Sequence, residues 1–204
     1  EVVTGLPFSD FQNEELRKTF KVSLIGSHKI QRPDRPKQNI IINEVKILTQ
    51  NFGPIFKHLK LLQDAVVGVL NIGSHTVEMA TVILSKHKGP NAIRVQCNSD
   101  SKGTRTTLPL IHNFMNSKRP GVRYNDYELD RGLQAGQIDN IRLNGHLDHF
   151  IGGVQSLIDK NWSSYKIYPL NKLTHFIISG GGASLVGNQL KVEGPEVIMG
   201  DQWD

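Results

Sequence analysis

Val66-Val67-Gly68-Val69-Leu70-Asn71-Ile72-Gly73-Ser74-His75-Thr76-Val77-Glu78-Met79 is the stretch on which the reading of this chain turns. Residues 65–70 and 76–84 are apolar, strand-like runs, and the turn between them predicts a β-hairpin. Gly73 has no Cβ and tolerates positive φ, so backbone N–H groups here can approach a ligand closely. Consecutive N–H groups in such a turn form an anion-binding concavity, to which Ser74 and Thr76 add hydroxyl donors. That chemistry suits the β- and γ-phosphates of a nucleotide. A plain hairpin turn uses the same residue types, so the motif does not decide alone.

A second glycine turn lies far along the chain, in Phe176-Ile177-Ile178-Ser179-Gly180-Gly181-Gly182-Ala183-Ser184-Leu185. Three glycines at a strand-to-helix junction let a flat ligand lie against the backbone, and the helix that follows adds positive partial charge. Tight strand–helix packing is the competing explanation. The run lacks the G-x-G-x-x-G spacing of a dinucleotide fingerprint and the terminal Gly-Lys-Ser/Thr of a P-loop.

With 204 residues, 38% of them apolar and 21% charged, the chain suits an ordinary globular protein able to bury a core. No apolar run approaches the roughly 20 residues of a membrane span. No basic-then-apolar leader follows Glu1. The single cysteine, Cys97, has no internal disulfide partner and reads as a small buried apolar residue; this predicts a cytoplasmic protein. The formal charge of +5 is spread along the chain. Its densest stretch, Lys29-Ile30-Gln31-Arg32-Pro33-Asp34-Arg35-Pro36-Lys37, reads as a proline-rich solvated loop rather than a grip on a phosphate backbone.

Elsewhere the pattern is mixed α/β. Residues 1–4 read as a strand end and Gly5-Leu6-Pro7 as a turn. A helix capped by Ser9 or Asp10 is predicted through Phe20, with strands at 21–25 and 39–48. Residues 49–62 carry Phe52, Ile55, Phe56 and Leu59 at helical spacing, with Pro54 in the first turn. Residues 91–97 predict a third strand of the meander. Helices are expected at 103–115, from Asn125 or Asp126 through Leu133, and at 145–162. The last elements are a strand at 174–179, a helix at 183–191 and a short strand at 196–199.

Together these segments resemble the actin, sugar kinase and heat-shock chaperone superfamily. The hairpin is similar to its second phosphate loop, and the Gly-Gly-Gly-Ala segment to its adenosine motif. Glu1-Val2-Val3-Thr4-Gly5-Leu6-Pro7, Asn43-Glu44-Val45-Lys46-Ile47-Leu48 followed by Gly53-Pro54, Tyr127-Glu128-Leu129 and Gly136-Gln137-Ile138 resemble stretches of the bacterial plasmid-segregation actins, the ParM/StbA-like group.

The resemblance implies an actin-like ATPase (ribonuclease H-like) fold, with residues 1–64 ending a first lobe and 65–204 forming a second. It implies a fragment: the family's first phosphate loop would precede Glu1, and a terminal helix would follow Asp204. It implies ATP or GTP with Mg²⁺, with Gly73, Ser74, His75 and Thr76 around the phosphates and Gly180, Gly181, Gly182 and Ala183 under the adenosine. It also implies self-association into cytoskeletal filaments for plasmid partition, with DNA reached through an adaptor and no direct nucleic-acid contact.

One departure is chemical. The family's phosphate loop opens with Asp at the metal-and-water position, and here that residue is Asn71. An amide is neutral and is no base near pH 7. Glu78 stands where the family has Asp; its longer side chain either takes over a metal contact or points away. Nucleotide binding is therefore better supported than rapid hydrolysis. Two alternatives stay open: a small-molecule kinase of the same superfamily, and a nucleotide-binding structural module without turnover.

Other chemistry finds little support. His146, Asp148 and His149 cluster without a third strong ligand or an H-E-x-x-H pattern, so no metal site is assigned. Ser184 is not in a G-x-S-x-G elbow. Trp162, Tyr165 and Tyr168 read as the edge of a core or as a contact surface.

Overall fold

A computed structural model describes residues 1–32, 35–85, 93–101, 103–143 and 145–200. In chain order its elements are β1 (Val2–Leu6), α1 (Phe8–Gln12), α2 (Glu14–Leu24), β2 (Gly26–Arg32), β3 (Arg35–Ile42), β4 (Val45–Thr49), α3 (Phe52–Lys57), β5 (Val66–Ile72), β6 (Val77–Ile83), β7 (Ile93–Asp100), α4 (Leu108–Lys118), α5 (Asp126–Ala135), β8 (Gln137–Ile138), β9 (Ile141–Arg142), α6 (Asp148–Asn161), β10 (His175–Ser179), α7 (Ala183–Val186) and β11 (Glu196–Met199).

The centre is a five-stranded sheet of order β11-β10-β5-β6-β7. The β5–β6–β7 meander is antiparallel, whereas β10 pairs parallel with both β5 and β11. The continuous apolar runs of β5 and β10 have a simple cause: both faces of the sheet are covered. On one face, Leu70, Ile72, Met79, Phe176 and Ile178 pack under α6 through Val154, Ile158 and Trp162. Trp162 meets Phe176 edge-on at 4.9 Å, and its buried Nε1–H donates to Thr81 Oγ1. On the other face, Val67, Val69, Ala80, Val82 and Ile177 pack against Ile55 and Leu62. A third cluster joins α4, α5 and the β8–β9 hairpin through Ile111, Met115, Leu129, Leu133, Ile138 and Leu143.

Residues 1–64 hold two smaller sheets, the parallel pair β1–β4 and the antiparallel hairpin β2–β3. Several boundaries differ from the sequence reading. Gly5 and Leu6 belong to β1 rather than to a turn. The first helix is two helices, because the Asn13 side chain accepts from Leu16 N–H and starts α2 afresh. Residues 21–24 finish α2 instead of starting a strand.

The proline-rich loop is largely the β2–β3 hairpin, with residues 33 and 34 outside the description. Pro36 is tolerated because β3 is an edge strand, where alternate N–H groups need no partner. Helix α3 ends at Lys57, earlier than its apolar spacing suggests. The helix expected from 103 begins as a short 3₁₀ turn at Thr104–Thr107. The β8–β9 hairpin was not anticipated; its turn uses Asp139 and Asn140 at φ +48° and +64°. The helix after the triple glycine is a single α turn followed by the 3₁₀ turn Gly187–Gln189.

Residues 91 and 92, expected in β7, lie outside the description, as do residues 201–204. Trp162 is core, Tyr168 packs at its edge, and Tyr165 is 97% exposed. Cys97 is half-buried against the second face. Among the described residues, no helix is long and apolar enough to cross a membrane.

Candidate functional site

The parallel pairing of β5 and β10 sets the site. Ser179 lies in register with Asn71, so both strands end at the same edge of the sheet and both glycine turns emerge side by side. Gly182 N–H donates to Ile72 O at 2.9 Å, stitching the second turn to the base of the first. The two segments, far apart in sequence, therefore share one rim.

The first turn is held in a definite orientation. Gly73 N–H closes it on Thr76 O at 2.8 Å. Behind it, Gly103 N–H donates to His75 O, Thr104 N–H to Gly73 O and Arg105 N–H to Ser74 O, at 3.1, 3.0 and 2.9 Å. A trans peptide is planar, with its C=O and N–H pointing in opposite directions. Pinning the carbonyls of residues 73, 74 and 75 to one side therefore aims the N–H groups of Ser74, His75 and Thr76 to the other. Among the described residues, none of these three N–H groups has a protein acceptor, and neither do those of Gly180 and Gly181. Five free donors on one rim form a preorganised cradle for an anion.

The structure thus brings all eight predicted binding residues together but does not give them equal exposure. Ser74, His75 and Gly181 are exposed; Gly73, Thr76 and Gly180 are half-buried; Gly182 and Ala183 are buried beneath the rim. The open part of the second turn is therefore Gly180 and Gly181, with no long helix behind it.

Asn71 and Glu78 face each other across the β5–β6 ladder. With Ser179 and Ser99, in register on either side, they form a polar row along the end of one sheet face. Ser179 Oγ–H donates to Asn71 Oδ1 at 3.4 Å, a long contact that leaves the amide loosely held. Glu78 is only 1% exposed. One of its oxygens accepts from Phe8 N–H at 2.8 Å and the other from Ser99 Oγ–H. It thereby fixes the start of α1 against the sheet, and both of its oxygens are occupied. A cleft of about 650 Å³ opens beside this row, lined by Gly5, Thr49, Gln50, Pro54, Asn71 and Gly73.

The carbonyl brace at residues 103–105 was not read from the sequence, nor was Arg105, whose guanidinium bridges His75 Nε2 at 3.1 Å and the Asp126 carboxylate. His146 stacks on Phe114 at 4.0 Å. Among the described residues, no group of three His, Cys, Asp or Glu side chains could hold a metal.

Solved structures match this chain over 98% of its length. The chain has an actin-like fold. A non-polymerisable quadruple mutant of pCBH ParM matches at 23% identity and a TM-score of 0.74, and a 15-stranded ParM filament from Clostridium botulinum at 21% and 0.75. Ta0583, an archaeal actin homolog in complex with ADP, matches at 15% and 0.72. This actin-like chain spans 63%, 62% and 67% of those three chains, respectively. No protein-family model matches it, and neither does any curated protein sequence.

Proposed function

We propose that this chain binds a purine nucleoside triphosphate, ATP or GTP, across the two turns, and belongs to an actin-like protein that self-associates into filaments. The observation that carries the reading is the shared rim, where free N–H groups of Ser74, His75 and Thr76 stand beside those of Gly180 and Gly181. The first set suits phosphates. The second, open and without side chains, suits the flat nucleoside. Two of the similar structures are ParM proteins, one of them a filament, and another holds ADP. Plasmid or DNA segregation through an adaptor is the corresponding cellular role.

Mg²⁺ would enter with the phosphates and be held through them, with Asn71 standing where the resemblance implies a metal-bound water. It would neutralise phosphate charge there. The protein's own contribution is the oriented backbone. Glu78 is committed to Phe8 and Ser99 and does not replace the missing carboxylate. The same observation favours a binding module with slow turnover over a fast hydrolase.

Asn71→Asp tests both points. A carboxylate there would face Glu78 directly across the ladder, and like charges so placed destabilise a sheet by up to about 1 kcal/mol. The variant is expected to be less stable than the parent without nucleotide and to recover when Mg²⁺–ATP is added. Phosphate release should rise by about 10² or more, the contribution of one well-placed catalytic group. Thermal unfolding with and without Mg²⁺–ATP, together with a phosphate-release assay, measures this. An unchanged release rate would show that Asn71 is not the limiting defect, and absence of any nucleotide effect on either protein would count against the binding site itself.

A further inference from the structure

We propose that Arg105 is a phosphate-binding residue of this site, held by Asp126 and His75 until a nucleoside triphosphate arrives, and that it selects triphosphate over diphosphate. The inference rests on the nucleotide reading above and adds a charged side chain to a cradle otherwise made of main chain.

The backbone of Arg105 is already part of the site, since its N–H holds Ser74 O at 2.9 Å. From that anchor the side chain extends to His75 of the turn and to Asp126. One guanidinium nitrogen lies 3.1 Å from His75 Nε2, and the other contacts an Asp126 oxygen. An arginine only donates, so in this contact His75 Nε2 is the acceptor. The guanidinium thus sits against the exposed His75 side chain of the loop that carries the free N–H groups.

Its present partners are weak competitors for a phosphate. Arg105 and Asp126 are half-exposed, with side-chain accessibilities of 47% and 64%, and exposed ion pairs contribute little. A terminal phosphate group carries up to two negative charges and presents two oxygens that match the guanidinium fork. Asp126 opens α5, whose capping box is made by Asn125 and Glu128, so the helix start survives the loss of its partner. Ser74, His75 and Thr76 supply uncharged donors alone. Arg105 adds the positive charge that discriminates the more highly charged triphosphate.

Titration of the full chain with fluorescent ATP and ADP analogues, each with Mg²⁺, decides the matter. Arg105→Ala keeps the backbone N–H brace and is expected to weaken ATP binding about tenfold to a hundredfold, the range for charge-assisted hydrogen bonds. ADP binding should change far less, so the ATP-to-ADP preference falls. Arg105→Lys should recover part of the loss, as a point charge without the fork. Asp126→Asn releases the guanidinium without removing it and should tighten ATP binding.

Equal weakening of both nucleotides in Arg105→Ala, or loss of ATP binding in Asp126→Asn, would make the pair a structural strut and overturn the proposal. If Arg105→Ala does not fold, the Lys and Asn variants decide by the same criteria. Wild-type binding of both nucleotides with an unchanged preference in every variant overturns the role of Arg105 alone. No binding by the wild type overturns the nucleotide reading as well.

Discussion

Gly180→Ala is expected to lose nucleotide binding and to destabilise the chain by about 2–5 kcal/mol. Two costs combine. Gly180 has φ +88°, a conformation that penalises any side chain by about 1–2 kcal/mol. An added Cβ would also stand 2.5 Å from Asn71 Oδ1 and 2.5 Å from Ile72 O, so it would force β10 and β5 apart where they carry the two turns. Overpacking of this kind adds about 1–3 kcal/mol.

Gly181→Ala is the control. Its Cβ would meet nothing within 4 Å, so stability should be close to that of the parent. The same methyl would project into the open space assigned to the nucleoside, and binding should weaken nonetheless. Urea unfolding and nucleotide titration of both variants separate the two effects. Equal stability of Gly180→Ala and the parent would contradict the described geometry, and unimpaired binding by Gly181→Ala would place the nucleoside elsewhere.

Gly103→Ala is the second large effect. At φ −70° and ψ 178° this residue has a backbone conformation open to any amino acid, so the penalty is purely one of space. Its Cβ would lie 2.4 Å from Ser74 O and 2.5 Å from the carbonyl carbon of His75. These are main-chain atoms and have no rotamer by which to move aside. The segment carrying Gly103, Thr104 and Arg105 must then withdraw from the hairpin, and the three carbonyls lose their donors together.

Destabilisation of about 1–3 kcal/mol is expected from the clash, with more where carbonyls are left unpaired. The more telling result is functional. Freed peptide planes no longer fix the direction of the N–H groups at residues 74, 75 and 76, so nucleotide affinity should fall even at temperatures where the variant is fully folded. A variant that unfolds earlier but binds normally would show that the brace supports the fold without orienting the donors.

The central sheet was legible because its signals are local. The apolar runs of β5 and β10, the hairpin at Gly73 and the period of α6 each follow from neighbouring residues. The partnership of the two turns was legible through family resemblance, and the parallel register of Ser179 with Asn71 supplies its physical basis.

The remainder depends on distant main chain. Any residue other than proline can donate from its backbone, so nothing in Gly103-Thr104-Arg105 announces a brace for a turn formed some thirty residues earlier. Glu78 looked available for a metal because its partners, Phe8 N–H and Ser99 Oγ, are set by packing and not by spacing. Pro36 suggested a loop, yet cross-strand pairing of residues 26–30 with 38–42 outweighs it at an edge. The helix after the glycines stopped early because glycine at position 187 gives it no strong propensity to continue.

Amide-resolved hydrogen exchange with and without Mg²⁺–ATP is the most direct measurement. The N–H groups of Ser74, His75, Thr76, Gly180 and Gly181 lack protein acceptors and should exchange rapidly in the free chain, whereas Gly73 N–H, bonded to Thr76 O, should be slower. A nucleotide spanning the rim should slow exchange in both turns at the same ligand concentration. Protection confined to one turn, or absent from both while nucleotide is bound, would contradict the account.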